Sequence, residues 1–488
     1  MGAKNKRKHA QEDVVKKDAK RTRMQEKTKG KIYKFYNCQI LRDHKLVKDN
    51  LYVRDGIIIN PEKLFFEEKL PPDEQIDCKG AIICPGFIDI QINGAFGVDF
   101  SCDVDTIEEG LKIVAKGLLP HGVTSFCPTI ISSKEDIYRK IVPKIKKVDG
   151  NKEGAGILGA HIEGPFISVE KKGAHPEENL RQFPNGFSDL KDLYGNLDNV
   201  AMVTIAPELD RSDEVIKRAC EKGISVSLGH TTANLVQGED AIRAGASCIT
   251  HLFNAMVSFH HRDPHLIGLL TSKFLTDRQV YYGLISDGVH THPAAVRMAF
   301  RSNPRGFIVV TDAIPAMGLP IGKHHMGSQL VEIQDKKAFI AGTNTLCGSI
   351  ATIPKCVQNL KKNTDCTTEQ ALDAATLHPA EVLKITDRKG TMDFDTDADF
   401  LMLDDNLNVM ATYIAGELVW HQDWHPAVSV LNRQMSERVG CEESAIRIIF
   451  DGTGSNEEVE IYILLNCRLV LDYIMVNGIT IIGWYKEI

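Results

Sequence analysis

From residue 85 to about 310, short apolar, β-branched runs alternate with amphipathic stretches, a rhythm that predicts strand–helix units and a parallel sheet. Eight runs carry it, at 87–90, 123–127, 157–161, 200–206, 224–228, 248–252, 280–285 and 307–310. Amphipathic segments at 107–119, 213–222 and 235–244 fill several of the gaps. Eight such units predict an α/β fold of the (β/α)8 TIM-like barrel type, with a doubly wound open sheet as the alternative. Ahead of the barrel, 32–36, 51–53, 57–59 and 81–84 read as short strands, separated by turn residues such as Arg54-Asp55-Gly56 and Pro71-Pro72-Asp73. Behind it come helix-like stretches at 350–361 and 368–377, then strand-like pieces at 400–403 and 411–419 placed to rejoin the first set.

Composition adds the two ends and removes several function classes. Residues 1–31 are rich in Lys, Arg, Glu and Gln and nearly free of aromatics, so a disordered basic leader is expected. Its clusters, Lys4-Asn5-Lys6-Arg7-Lys8 and Lys20-Arg21-Thr22-Arg23, are read first as a solvated tail and second as a nuclear import signal or nucleic-acid arm. The formal charge of −7 argues against a nucleic-acid-binding body. The twelve cysteines form no C-x-x-C pair, and no signal peptide opens the chain, so reduced thiols and a cytoplasmic location are expected. The longest apolar stretch, 461–476, is broken by Arg468 and Asp472, so no membrane partner is expected. Residues 421–488 receive no role: an acidic Gly/Ser loop lies there between two apolar runs.

Chemistry enters at the strand ends. Glu163, His230, His251 and Asp312 each close one of the apolar runs, and strand ends converge on the face where barrel enzymes keep their chemistry. One carboxylate and two imidazoles suit a catalytic zinc with an open position, leaving one further group to move protons. Which three of the four bind is open at this level. His161, two residues before Glu163, is expected to be structural support, and His121 a packing or turn residue. The long loop Lys171-Lys172-Gly173-Ala174-His175 suits an anionic substrate, and so does Arg262 in Phe259-His260-His261-Arg262-Asp263. His290, in Asp287-Gly288-Val289-His290 after the seventh run, could orient a substrate hydroxyl or phosphate.

These residues come in motifs: Pro85-Gly86-Phe87-Ile88-Asp89-Ile90-Gln91-Ile92-Asn93-Gly94, His161-Ile162-Glu163-Gly164-Pro165-Phe166, Thr250-His251-Leu252-Phe253-Asn254-Ala255-Met256 and Leu377-His378-Pro379-Ala380 among them. In that order the chain resembles the N-acetylglucosamine-6-phosphate deacetylase family of the amidohydrolase superfamily, from about residue 32 to 420. Many amidohydrolases carry H-x-H after the first strand and hold a second metal there. Gln91 and Asn93 stand at those positions and are poor zinc ligands, so one divalent ion per subunit, expected to be zinc, is implied.

The resemblance implies Glu163, His230 and His251 as the metal ligands and Asp312 as base toward water, then acid toward the departing amine. It implies that His175 polarises the acetyl carbonyl and that Ala174, Asn254, Ala255, Leu346, Cys347 and Gly348 line the sugar. Arg262, Asp287, Gly288, Val289 and His290 complete the substrate contacts, Arg262 reaching the neighbouring active site of a homodimer. The family's T-L-S-G-S reads Thr345-Leu346-Cys347-Gly348-Ser349 here, and a thiol is the weaker hydrogen-bond partner. The implied domains are a small β-sandwich from 32–84 and 385–420 and a barrel over 85–384; the resemblance says nothing of the atypical tail over 421–488, which is expected to be an alternative or misassembled C-terminal exon. The expected reaction is metal-dependent hydrolysis of N-acetylglucosamine 6-phosphate in amino-sugar recycling. The alternatives are a deacylase of another N-acyl hexosamine phosphate, or an inactive isoform serving as an interaction protein.

Overall fold

A computed structural model describes residues 30–422, apart from 327, 328, 336 and 344, together with five short strands between 446 and 481. The basic leader up to residue 29 lies outside the described residues, as does 423–445.

The eight predicted runs become eight parallel positions: Phe87–Ile92, Val123–Ile130, a third strand broken into Gly156–Ile157 and Ala160–Glu163, Val200–Ile205, Ser225–Leu228, Cys248–Ile249, Tyr281–Leu284 and Phe307–Val309. Each pairs in parallel with the next. Every residue of the first two strands is buried, as strands covered on both faces require. The ends of the first and eighth strands close the ring. Asp312 N donates to Gln91 O at 2.8 Å, Asn93 N donates to Ala313 O at 2.8 Å, and a parallel bridge joins Ile92 and Ala313.

The amphipathic segments appear as Ile107–Gly117, Ser212–Glu221 and Leu235–Ala244, the last opened by a reciprocal capping box between Asn234 and Gln237. The stretch read as one helix at 368–377 is two, Thr368–Asp373 and Leu377–Leu383. Among the described residues no helix is long and apolar enough to cross a membrane.

The strand-like flanks do rejoin. Ile82–Pro85 pairs antiparallel with Phe400–Leu403, which puts early and late segments into one eight-stranded sheet. Phe35 packs edge-on to Phe400 and Tyr413, with ring centroids 5.0 and 5.2 Å away, at the centre of its core. The stretch read as one strand at 411–419 is two, Val409–Ile414 and Glu417–His421, turning at Ala415-Gly416. Gly416 has φ +75, and a Cβ there would lie 2.5 Å from Val53 Cγ1, so only glycine makes that turn without displacement.

Sequence reading passed over a four-stranded antiparallel sheet after the eighth barrel strand, made of Gly322–Met326, Gln329–Gln334, Lys337–Ile340 and Leu346–Gly348. In the tail, Ile446–Asp451 pairs antiparallel with Glu460–Leu465, and Ile474–Val476 with Ile479–Ile481.

Asp89, wholly buried on the first barrel strand, accepts from Thr311 Oγ1 at 2.5 Å and from Gln91 N at 3.2 Å. Burial pushes its pKa up to about 7 against these hydrogen bonds. The folded chain therefore keeps a proton that the unfolded chain releases near pH ~4. The stability this supplies is full below that pH and is lost as pH rises through about 7. The melting temperature should accordingly fall between pH ~5 and ~8 more steeply in the wild type than in Asp89→Asn. Parallel thermal scans of the two proteins check this, and equal slopes would remove Asp89 from the account.

Candidate active site

Three strand ends deliver three ligand atoms to one point. Glu163 ends the third strand, and His230 and His251 follow the fifth and sixth. Glu163 Oε1 stands 3.1 Å from His230 Nε2 and 3.0 Å from His251 Nε2, and the two imidazole nitrogens are 3.0 Å apart. Ligand atoms about 2.0–2.2 Å from a tetrahedral zinc stand roughly 3.3 Å from one another, so the set has the right size. His230 Nδ1 donates to Lys171 O at 2.8 Å, which leaves the Nε2 lone pair for an ion. Burial works against charge at Glu163, but His230 and His251 beside it hold its pKa well below the usual carboxylate range. Burial likewise lowers His251, yet Glu163 and Asp312 overcome it and raise its pKa to about 9. Two carboxylates, buried Glu163 and half-buried Asp312, thus make a site that attracts positive charge.

His175 also brings a ligand-capable atom within 4.8 Å of those of Glu163 and His230. The triangle with His251 is the set that fits one ion, because its 3.0–3.1 Å edges come near a metal's ligand spacing. His175 has a different constraint: its Nδ1 lies 2.6 Å from Ser132 Oγ and accepts from Ser132 N at 3.2 Å. Burial, then the charge of His230, lowers its pKa to about 3, so the ring is neutral with its proton on Nε2. It is therefore built to donate to an oxygen.

Asp312 is half-buried, with its Oδ1 accepting from Asn93 Nδ2 at 2.7 Å. Burial first, then the charge of Glu163, raises its pKa to about 6, within reach of a general base. His230, His251 and Asp312 have φ of +49, +28 and +47, a left-handed backbone that costs a non-glycine residue on the order of 1–3 kcal/mol. Such strain collects at functional sites because surrounding packing holds the side chains where chemistry needs them.

Sequence reasoning set aside Gln91 and Asn93 as poor ligands and missed what they do. Gln91 Nε2 donates to Glu163 Oε1 at 3.1 Å, while Asn93 holds Asp312. Alternation along a strand places both amides on one face, and that was the available signal. His161 has both ring nitrogens engaged, by Ile90 O at 2.9 Å and Thr204 Oγ1 at 2.8 Å, as a supporting residue should. His121 lies at a helix-to-strand turn and stacks on Phe96 at 6.4 Å.

The remaining candidates surround this centre unevenly. Ala174 is exposed beside buried His175. Asn254 Nδ2 donates to His251 O at 3.3 Å, and Ala255 O accepts from Thr231 N at 3.2 Å, tying that loop to the imidazoles. Asp287 caps its own loop, accepting from Val289 N and His290 N at 2.8 Å, and its Oδ2 is 2.7 Å from His290 Nδ1. Gly288 has φ +79, and a Cβ there would meet nothing within 4 Å, so it serves the turn rather than a close approach. Leu346, Cys347 and Gly348 run beside the loop that follows Asp312, where Ile314 N donates to Ser349 O at 2.9 Å. Arg262 is exposed, its backbone N donating to His260 Nδ1 at 3.3 Å.

The chain matches the amidohydrolase family over residues 82–419. It is 55% identical over 396 residues to N-acetylglucosamine-6-phosphate deacetylase of Homo sapiens, covering 81% of this chain and 97% of that protein. The relative of the same name in Danio rerio is 54% identical over 393 residues, covering 80% of this chain and 97% of that one. In structure it is similar to N-acetylglucosamine-6-phosphate deacetylase from Pasteurella multocida, with a TM-score of 0.69 at 29% identity over 79% of this chain and 99% of that one. The chain therefore belongs to the amidohydrolase family, among its N-acetylglucosamine-6-phosphate deacetylases.

Proposed function

We propose that this protein hydrolyses the acetamide of N-acetylglucosamine 6-phosphate, giving glucosamine 6-phosphate and acetate, in amino-sugar catabolism. The observation that carries the reading is the meeting of Glu163 Oε1, His230 Nε2 and His251 Nε2 within 3.0–3.1 Å of one another, with the carboxyl group of Asp312 interacting electrostatically with Glu163 and His251. Glu163, His230 and His251 would hold a divalent ion, zinc by the donor set, and that ion would lower the pKa of a water and polarise a carbonyl. Asp312 takes the proton of the attacking water and returns it to the sugar nitrogen as the C–N bond breaks. His175 donates from Nε2 to the acetyl oxygen as negative charge develops there. Gln91 keeps Glu163 oriented, and Asn93 keeps Asp312 aimed.

The 6-phosphate needs cationic or N–H donors. His290, its Nδ1 held by Asp287, supplies Nε2 from the same chain. Exposed Arg262 suits a homodimer in which the partner subunit's Arg262 grips the phosphate by two parallel hydrogen bonds. Ala174, Asn254, Ala255 and the Leu346-Cys347-Gly348 strand line the sugar. Together with the reduced cysteines, these roles fit a cytoplasmic enzyme.

The test is acetate release by zinc-loaded protein, with N-acetylglucosamine 6-phosphate beside the unphosphorylated sugar. Turnover that requires the phosphate is expected. Equal turnover of both sugars would discard the phosphate contacts, and none with either would discard the substrate.

A further inference from the structure

We propose that Glu208 is a positioning residue for His230, an inference that rests on the assignment of Glu163, His230 and His251 as the metal-holding set. Glu208 lies three residues beyond the fourth barrel strand, Val200–Ile205, and the residues it grips follow His230 directly. Its Oε2 accepts from Thr231 Oγ1 at 2.5 Å, and its Oε1 accepts from Thr232 N at 2.6 Å and from Thr232 Oγ1 at 2.9 Å. Three donors from two consecutive residues thus converge on one carboxylate.

This grip matters because of the backbone it holds. His230 has φ +49, a conformation that persists only where neighbours impose it. On its own side, His230 O accepts from Ser168 N at 2.8 Å and His230 Nδ1 donates to Lys171 O at 2.8 Å. On the far side the chain is held at Thr231 and Thr232, and Glu208 supplies that hold. Thr231 Oγ1, oriented by Glu208, also accepts from Ala233 N at 2.9 Å, which closes the turn. Thr231 N donates to Ala255 O at 3.2 Å and Thr231 bridges Met256, so the same anchor registers the loop after the sixth strand.

The chemistry of the residue fits the task. An ionised carboxylate is acceptor-only at both oxygens, so all three donors can be served at once, and charge-assisted bonds are about twice as strong as neutral ones. Glutamine can keep the pair from Thr232 on its oxygen and offer its amide N–H to Thr231 Oγ1. Alanine can do neither.

The experiment measures zinc affinity by competition with a colorimetric chelator on full-length protein, together with kcat, KM and the melting temperature of the metal-free form. Loss of an outer partner of a metal ligand costs about 10–100-fold in metal affinity or activity. Because Glu208 acts through the residue after His230, Glu208→Ala should weaken zinc by about tenfold and lower kcat, and Glu208→Gln should recover most of that loss. Wild-type zinc affinity and kcat in Glu208→Ala would overturn the assignment, as would a loss that Glu208→Gln shares in full. If the alanine protein does not fold, Thr231→Val removes only the gripped hydroxyl. Weakened zinc there supports the role and unchanged zinc overturns it. A wild-type protein that holds zinc yet releases no acetate counts against the proposed substrate alone, and the comparison of zinc affinities still decides on Glu208.

Discussion

Asp312→Asn is expected to leave a folded protein with its ion in place and to lose about 10²–10⁴ of its rate of acetate release, the contribution of a positioned general base. The substitution isolates chemistry from structure for two reasons. Asp312 sits at φ +47, and asparagine is among the few residues that tolerate left-handed backbone, so strain is not added. Asn93 Nδ2 donates to Asp312 Oδ1, and an amide oxygen can take that bond in the same place. What disappears is the capacity to accept a proton from water and return it to nitrogen. Because the carboxylate form is the base and its pKa is raised to about 6, wild-type rate should fall as pH drops through that range. The acid limb should be missing from the residual rate of the variant. Initial rates against pH, with metal content measured on the same samples, decide the matter; a variant within a few-fold of wild type would remove Asp312 from the proton path.

Stripping the ion with a chelator should abolish turnover, and added zinc should restore it. His230→Ala should weaken zinc by more than the about 10–100-fold typical of an outer partner, because it removes a ligand atom itself. The electrostatics set the size of this effect. Glu163 is buried, and its negative charge raises the pKa of half-buried Asp312, a penalty that a bound cation relieves. His251, raised to about 9 by the same carboxylates, can answer with a proton, so protons compete with the ion and its affinity should fall as pH falls. Metal analysis after dialysis, for wild type and His230→Ala, tests the ligand assignment separately from catalysis. Stoichiometric zinc retained by the variant would show that the triangle is not the metal site.

The barrel was legible because each strand is a short, β-branched run between amphipathic segments, a pattern that survives without knowing which strand pairs with which. Glu163, His230, His251 and Asp312 were legible for a related reason: ionisable side chains at the ends of buried strands have few bland roles. The antiparallel sheet over 322–348 was not, since its strands are short and mostly half-exposed, and weak alternation there resembles loop. The turn at Ala415-Gly416 was hidden inside an apolar run, where only the approach of Val53 shows why glycine is needed.

The order of the strands, the ionisable groups at their ends and the absence of imidazole at Gln91 and Asn93 were determined by the sequence alone, because each is a property of local pattern and side-chain chemistry. Tertiary structure decided the partnerships. Gln91 meets Glu163 across 72 positions, Asn93 meets Asp312 across 219, and Glu208 meets Thr231 across 23. Only the curvature of a closed sheet brings such residues within 3.1 Å, and only packing against neighbours holds His230, His251 and Asp312 in backbone conformations they would not adopt by themselves.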